Sequence, residues 1–285
     1  MFRRRWQILL LGLAVTTLVL AVVAIVLGPV RIPIRQVLSL LWEGVFSGSS
    51  TGPGAAGGAG AVAVERELYG TILWQLRLPR ILLALEIGLA LSLAGTAYQG
   101  VFRNPLADPY ILGVSSGAAL GATIGFGWMV TRSLAGGALI PLFAFAGALV
   151  NTFLVYGLAR SSGRMPVTAL LLAGVAVSAL SSALVSVILL FSGDWLRQIV
   201  YWTMGSLANG SWREVRLLLP FLLLGSATIL FSARALDLFL LGEERAESTG
   251  LAVEKAKLLL LTAGALLAAA AVAAGGVIGF VGLIV

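Results

Sequence analysis

Residues 77–125 read RLPRILLALEIGLALSLAGTAYQGVFRNPLADPYILGVSSGAALGATIG, and this stretch decides the fold class. Between Leu78 and Val101 only Arg80 and Glu86 carry charge. A helix rises about 1.5 Å per residue, so about 20 apolar residues cross a hydrocarbon core about 30 Å thick. The run therefore predicts a membrane span, with Pro79 placed in its first helical turn, where a missing N–H is harmless. Arg77 and Arg80 would snorkel to the interface there. Pro105 and Pro109, together with Asn104 and Asp108, predict a compact non-helical turn after the span. Such a turn must meet water or be enclosed by protein. A second apolar run, 110–130, follows, in which Gly113, Gly117, Gly121 and Gly125 recur every four residues. That spacing puts them on one helical face, where small residues let a neighbouring helix approach closely.

Working outward, comparable apolar runs lie at 7–28, 137–159, 167–192, 213–232 and 256–276, giving seven spans in all. The reading is an all-α, polytopic transmembrane bundle forming a single domain over 1–285. Its mean hydropathy of +1.03 agrees, as does a content of 59% hydrophobic and 11% charged residues, far from the roughly 25% charged residues of soluble domains. The first run is about 20 residues, longer than the core of a cleaved signal peptide, so it reads as a retained span. With Arg3, Arg4 and Arg5 left in the cytoplasm, alternation places 29–77, 131–136 and 193–212 outside, and 102–109, 160–166 and 233–255 inside. The other basic residues divide almost evenly between the two sides, so the orientation rests on that cluster and on the motifs. In the first external segment, Ile34 to Phe46 reads as a short interfacial helix with Trp42 at headgroup depth. Ser47 to Gly60 reads as a flexible Gly/Ser-rich loop.

Composition also excludes chemistry. There is no cysteine and no histidine, which removes disulfides, thiolate nucleophiles, imidazole bases and the usual zinc ligands. Lysine occurs only at Lys255 and Lys257, so the chain holds no phosphate-binding loop ending in Gly-Lys-Ser/Thr. It is read as a non-enzyme with no cofactor and no metal site. The net charge of +7 is read as flanking charge on spans, with no nucleic acid as partner.

Three groups of motifs then carry a resemblance. The first is Arg77-Leu-Pro-Arg80 followed by Q-x-x-F-x-N-P-L-A-D-P-x-x-L-G-V-S-S-G-A from Gln99 to Ala118. The second is Leu170-Leu-Leu-Ala-Gly-Val-Ala176. The third is Leu241-Gly-Glu243, then Gly250-Leu251, then Gly279-Phe-Val-Gly-Leu-Ile-Val285. Together they are similar to the FecCD-type permease subunits of ABC importers for iron-siderophores, haem and cobalamin. The resemblance implies a type II importer permease of ten spans, so about three further spans are expected beyond Val285 and the chain reads as truncated. It implies a homodimer in a bacterial cytoplasmic (inner) membrane. An ATP-binding subunit dimer would bind the cytoplasmic side, and a periplasmic or lipid-anchored substrate-binding protein the other.

Residue by residue, the resemblance gives Arg77 and Arg80 to binding-protein docking. It gives Asn104, Leu106 and Thr168 to an inner gate. Leu241, Gly242, Glu243, Ala246, Gly250 and Leu251 are given to the contact with the ATPase. The residues support that last assignment independently. Ala235 to Leu241 is amphipathic, and Gly242 and Gly250 break the segment into short helices that an ATPase groove could hold. An iron-siderophore is the expected cargo, with haem or cobalamin behind it. Ser178, Ser181, Ser182 and Ser186 either line a path or bond between helices. Glu86 is the one carboxylate deep within a span, Glu214 standing at the edge of its own. It keeps a secondary transporter open as the alternative, although paired mid-membrane charges and inverted repeats are missing.

Overall fold

The structure, a computed structural model, describes residues 2–46, 61–131, 139–160, 163–279 and 281–284. The Gly/Ser-rich stretch and most of the expected external loop 131–136 lie outside the described residues. Regular structure is helical. The elements are α1 (Phe2–Val26), α2 (Ile34–Phe46), α3 (Ala61–Thr71), α4 (Leu78–Phe102), α5 (Val114–Thr131), α6 (Ile140–Ala159) and α7 (Val167–Leu190), then α8 (Leu196–Thr203), α9 (Trp212–Phe231), α10 (Ala233–Leu240), α11 (Glu243–Ser248), α12 (Val253–Gly275) and α13 (Val281–Ile284). Each expected span holds a helix. Those containing α1, α4, α6, α7, α9 and α12 are long and apolar enough to cross a membrane. The 18 residues of α5 reach about 27 Å.

The chain divides into two compact units, Met1–Ala84 with Asn209–Trp212, and Leu85–Ala208 with Arg213–Val285. In the first, α2 falls where its amphipathic pattern put it. Val37 and Leu40 are buried with Ile32 and Leu73 in one cluster, while Trp42 is 66% exposed. Two sequence expectations fail here. The second span does not begin at Leu78: α3 runs into a π-helical turn, Ile72–Arg77, and on into α4 without a break. The Leu78 N–H bonds to the Leu73 carbonyl, five residues back. Within an α-helix the Pro79 ring would strike the carbonyl of Gln75. A wide turn directly upstream displaces that carbonyl, which is why proline sits inside a continuous helix.

The second failure concerns Arg77, which does not snorkel. It is 8% exposed, and its guanidinium donates to the carbonyls of Ile25, Val26 and Val30. These lie at and just beyond the end of α1, where helical carbonyls lack partners and a cation is favourable.

In the second unit α12 is the central helix, with Leu260, Leu261, Leu267 and the run Ala268–Ala271 all at most 5% exposed. Alanine at this density lets neighbours approach closely. Tyr98 of α4 lies against Gly264, and its hydroxyl donates to the Leu261 carbonyl at 3.2 Å. Between α5 and α6 the backbones nearly touch. A Cβ on Gly117 would lie 2.4 Å from the Gly147 carbonyl oxygen, and one on Gly121 would lie 2.0 Å from that of Phe143.

Gly113 departs from this ladder. It sits at φ +80° between a 3-10 turn, Pro109–Leu112, and the start of α5, so it terminates a turn, and a Cβ there would meet Ser178 Oγ of α7 at 3.4 Å. Asn151 of α6 is buried against it and donates to the Gly113 carbonyl (3.3 Å) and to Ser181 Oγ of α7 (2.8 Å). Ser181 is thereby an interhelical partner. Ser182 and Ser186 are exposed on α7.

Candidate functional site

The ends of several helices of the second unit converge on the segments 103–113, 163–166 and 232–252. Helix α4 closes on Arg103, which adopts φ +49°, and the Asn104 N–H reaches back to the Gln99 carbonyl at 3.2 Å. The Asn104 side chain then accepts the Leu106 N–H at 2.9 Å. Asp108 accepts that of Tyr110 at 2.8 Å. Asn and Asp favour these short local bonds over continued helix. Burial pushes the Asp108 carboxyl up from its ordinary value, and the bond from Tyr110 opposes this. Asn104 and Leu106 are exposed at the turn, Leu106 at 66%. Thr168, in the first turn of α7, is exposed as well.

The short helices α10 and α11 project from this end. Phe239 anchors α10 with no exposed surface, and a Cβ on Gly100 would meet Leu236 of α10 at 2.8 Å. Gly242 at φ +105° and Gly250 at φ +89° turn the chain before and after α11, a backbone region that glycine enters at little cost. The Leu251 N–H bonds to the Ala246 carbonyl, which closes α11. Between α11, the start of α12, Arg103 and Arg164 lies a cavity of about 960 Å³ whose walls include Glu244, Arg245 and Lys255. This is an open, strongly charged concavity beside exposed Leu241, suited to receive a protruding protein element rather than a small apolar ligand.

Of the residues expected to meet an ATPase, Leu241, Gly242, Glu243 and Leu251 line this concavity, Gly250 turns the chain beside it, and one residue of the set needs correction. Ala246 has no exposed surface and packs inward beneath α11, so it cannot meet a partner directly. Glu243 is half-turned inward as well, paired with Lys257 at 3.0 Å. Lys257 was not singled out by the sequence. Glu254, three residues before it on α12, has the local spacing of a helical ion pair, whereas Glu243 and Met165 come from other segments that no local spacing marks.

Elsewhere, Arg80 is exposed, while Arg77 is buried where it caps the end of α1. Glu86 is partly buried, with its Oε2 lacking a hydrogen-bond partner, and no group of His, Cys, Asp or Glu able to hold a metal occurs among the described residues. Gly282, within the third motif, meets α4 from the side. The Gln99 side chain donates to the Gly282 carbonyl at 2.9 Å, and a Cβ on Gly95 would lie 2.6 Å from that same oxygen.

Residues 15–285 match the model of the FecCD transport family. An uncharacterized ABC transporter permease protein of Bacillus subtilis, YvrB, is 38% identical over 90% of this chain and 70% of its own length. The cobalamin import system permease BtuC of Halobacterium salinarum is 44% identical over 79% of this chain, which spans only 59% of that relative. Among solved structures, an inward-facing metal-chelate type ABC transporter superposes with a TM-score of 0.77 at 29% identity, covering 97% of this chain and 78% of the other.

Proposed function

The chain belongs to the FecCD transport family, and on that premise we propose that it is the membrane-spanning subunit of an ATP-binding-cassette importer. It acts as a single permease domain over 1–285 in a multi-pass arrangement in the cytoplasmic (inner) membrane, N-terminus inside, and is driven by a separate ATPase dimer. The observation that carries this reading is the charged concavity around α11. Two short helices, held by Phe239 and set by glycines at positive φ, stand out beside it. Leu241, Gly242, Glu243, Gly250 and Leu251 form the rim that the ATPase engages, with Ala246 supporting it from beneath.

Asn104, Leu106 and Thr168 form the inner gate, a ring that closes by bulk and by exclusion of water. Arg80 meets acidic residues of the substrate-binding protein, a contact that steers docking more than it adds affinity. Two copies of the chain place their exposed α7 faces along a shared path. That face carries Leu172, Val175 and Leu180.

The cargo is a metal chelate. An iron-siderophore is the first to test, with cobalamin and haem as the alternatives. The experiment reconstitutes the chain with its ATPase in liposomes and adds binding protein loaded with each chelate. ATPase stimulation together with uptake of one chelate is the expected result. A chain that never associates with an ATPase would return attention to Glu86 and secondary transport.

A further inference from the structure

Lys257 is 1% exposed although it stands in the second turn of α12, close to the charged end of the unit. Its ammonium has three protons to donate, and all are taken: by the Met165 carbonyl at 3.0 Å, Glu243 Oε2 at 3.0 Å and Glu254 Oε1 at 3.2 Å. The other oxygen of Glu254 accepts the Met165 N–H at 3.0 Å. Both backbone polar groups of Met165 are therefore clasped by one pair of side chains. Met165 itself is buried at 5%, and Pro166 after it stands at the start of α7, which carries Thr168 in its first turn. Glu243 is the first residue of α11.

We propose that Lys257 is a positioning residue that locks α11 to the foot of α7, so that displacement of α11 by an ATPase moves α7 as one body. The inference rests on the importer reading above. A salt bridge of this kind is a weak source of net stability, since desolvating the ions offsets their attraction. What it contributes is a fixed geometry among α11, the start of α12 and the segment before α7, the last of them 92 residues away in sequence. An ammonium at the centre of three acceptors fixes their mutual positions, which apolar packing between the same segments would leave free to slide. The two carboxylates keep 36% and 32% of their side chains exposed, so the node lies where a docked partner could still reach Glu243.

The chain has no cysteine, so paired labels need no background removal. Spin labels on Glu247→Cys in α11 and Leu172→Cys in α7 report the distance across the lock in the reconstituted complex with ATPase. With Lys257 present, that distance stays narrow and unchanged through nucleotide binding. Lys257→Met should broaden it on nucleotide binding and lower transport per ATP by at least about tenfold, within the usual range of coupling between sites. ATPase turnover by the partner should persist.

Because Lys257→Met leaves Glu243 and Glu254 short of their partner, Lys257→Met with Glu254→Gln serves as the second variant, in which Glu243, 36% exposed, is the one carboxylate of the node without its cation. A narrow distance and unchanged transport per ATP in that double variant would overturn the proposal. So would failure of both variants to assemble, which would make the node a folding element. Absence of ATP-driven transport in the unsubstituted complex would instead refute the importer reading and leave the lock to be judged by the label distances alone.

Discussion

Consider Gly121→Ala. The added Cβ would stand 2.0 Å from the Phe143 carbonyl oxygen and 2.8 Å from its carbon, against ordinary contact beginning at 3.4 Å. The shortfall is about 1.4 Å, and the obstructing atoms belong to the backbone of α6, so no side-chain rotation relieves it. The helices must part, which also disturbs the reciprocal approach of Gly117 and Gly147, where a Cβ on either would meet the other's carbonyl oxygen at 2.3–2.4 Å. Forced overpacking costs about 1–3 kcal/mol, and the gain in helix propensity on replacing glycine offsets about 0.8–1.0 kcal/mol. A site needing so large a displacement falls at the upper end, leaving a net loss of about 2 kcal/mol. Unfolding of purified chain in mixed detergent micelles measures this directly. Gly157→Ala in α6 is the control. Nothing lies within 4 Å of its Cβ position, so only the propensity gain remains and stability should rise slightly. If Gly121→Ala proves as stable as Gly157→Ala, the close approach of α5 and α6 is not real.

Arg77→Ala removes the donor to three carbonyls at the end of α1, at a cost of about 2 kcal/mol if it behaves as a charge-assisted bond lost from a part-buried site. Hydrogen exchange of residues 23–31 should accelerate. Arg77→Lys should restore protection only in part, since an ammonium lacks the planar fork. Unchanged exchange in Arg77→Ala would refute the capping role. Arg80→Glu, by contrast, should leave folding intact and slow association with the binding protein by about tenfold at low salt, an effect that fades as salt rises. Equal association rates at all salt concentrations would remove Arg80 from the docking surface. Leu106→Ala alters an exposed side chain, so stability should change by no more than about 0.5 kcal/mol. Preloaded liposomes without ATP should nonetheless leak substrate, and tight, fully ATP-dependent vesicles would remove Leu106 from the gate.

What the sequence disclosed, and what it hid, follows from the range over which each feature is determined. The positions of the spans were legible because apolar content over about 20 residues is a local property. The helix Ile34–Phe46 was legible because its amphipathic period is complete within its own length. Pro79 misled because the usual meaning of proline near a helix start is local, whereas the π-turn that accommodates it depends on how Leu73 and Arg77 are buried. Gly113 matched the spacing of a packing ladder, but Asp108 and Pro109 five and four residues earlier had already committed the chain to a 3-10 turn there. Ala246 looked like part of a docking rim on motif alone, and only the folding of α11 over the chain shows that it faces inward. The lock at Lys257 lay furthest out of reach. Met165, Glu243 and Glu254 meet it from segments separated by as many as 92 residues.

The wide turn at Ile72–Arg77 has one more consequence, and it concerns register rather than energy. A turn with i→i−5 bonding holds one residue more than the α-helix it interrupts. Removing a single residue there, Gln75 for example, would let the bonding ladder revert and would rotate everything upstream by about 100° about the helix axis. Arg77 would then face away from the carbonyls of Ile25, Val26 and Val30, and α1 would lose its tether. The stretch is therefore constrained in register: a substitution at an exposed position leaves the ladder intact, while the loss or gain of one residue breaks the contact that holds α1.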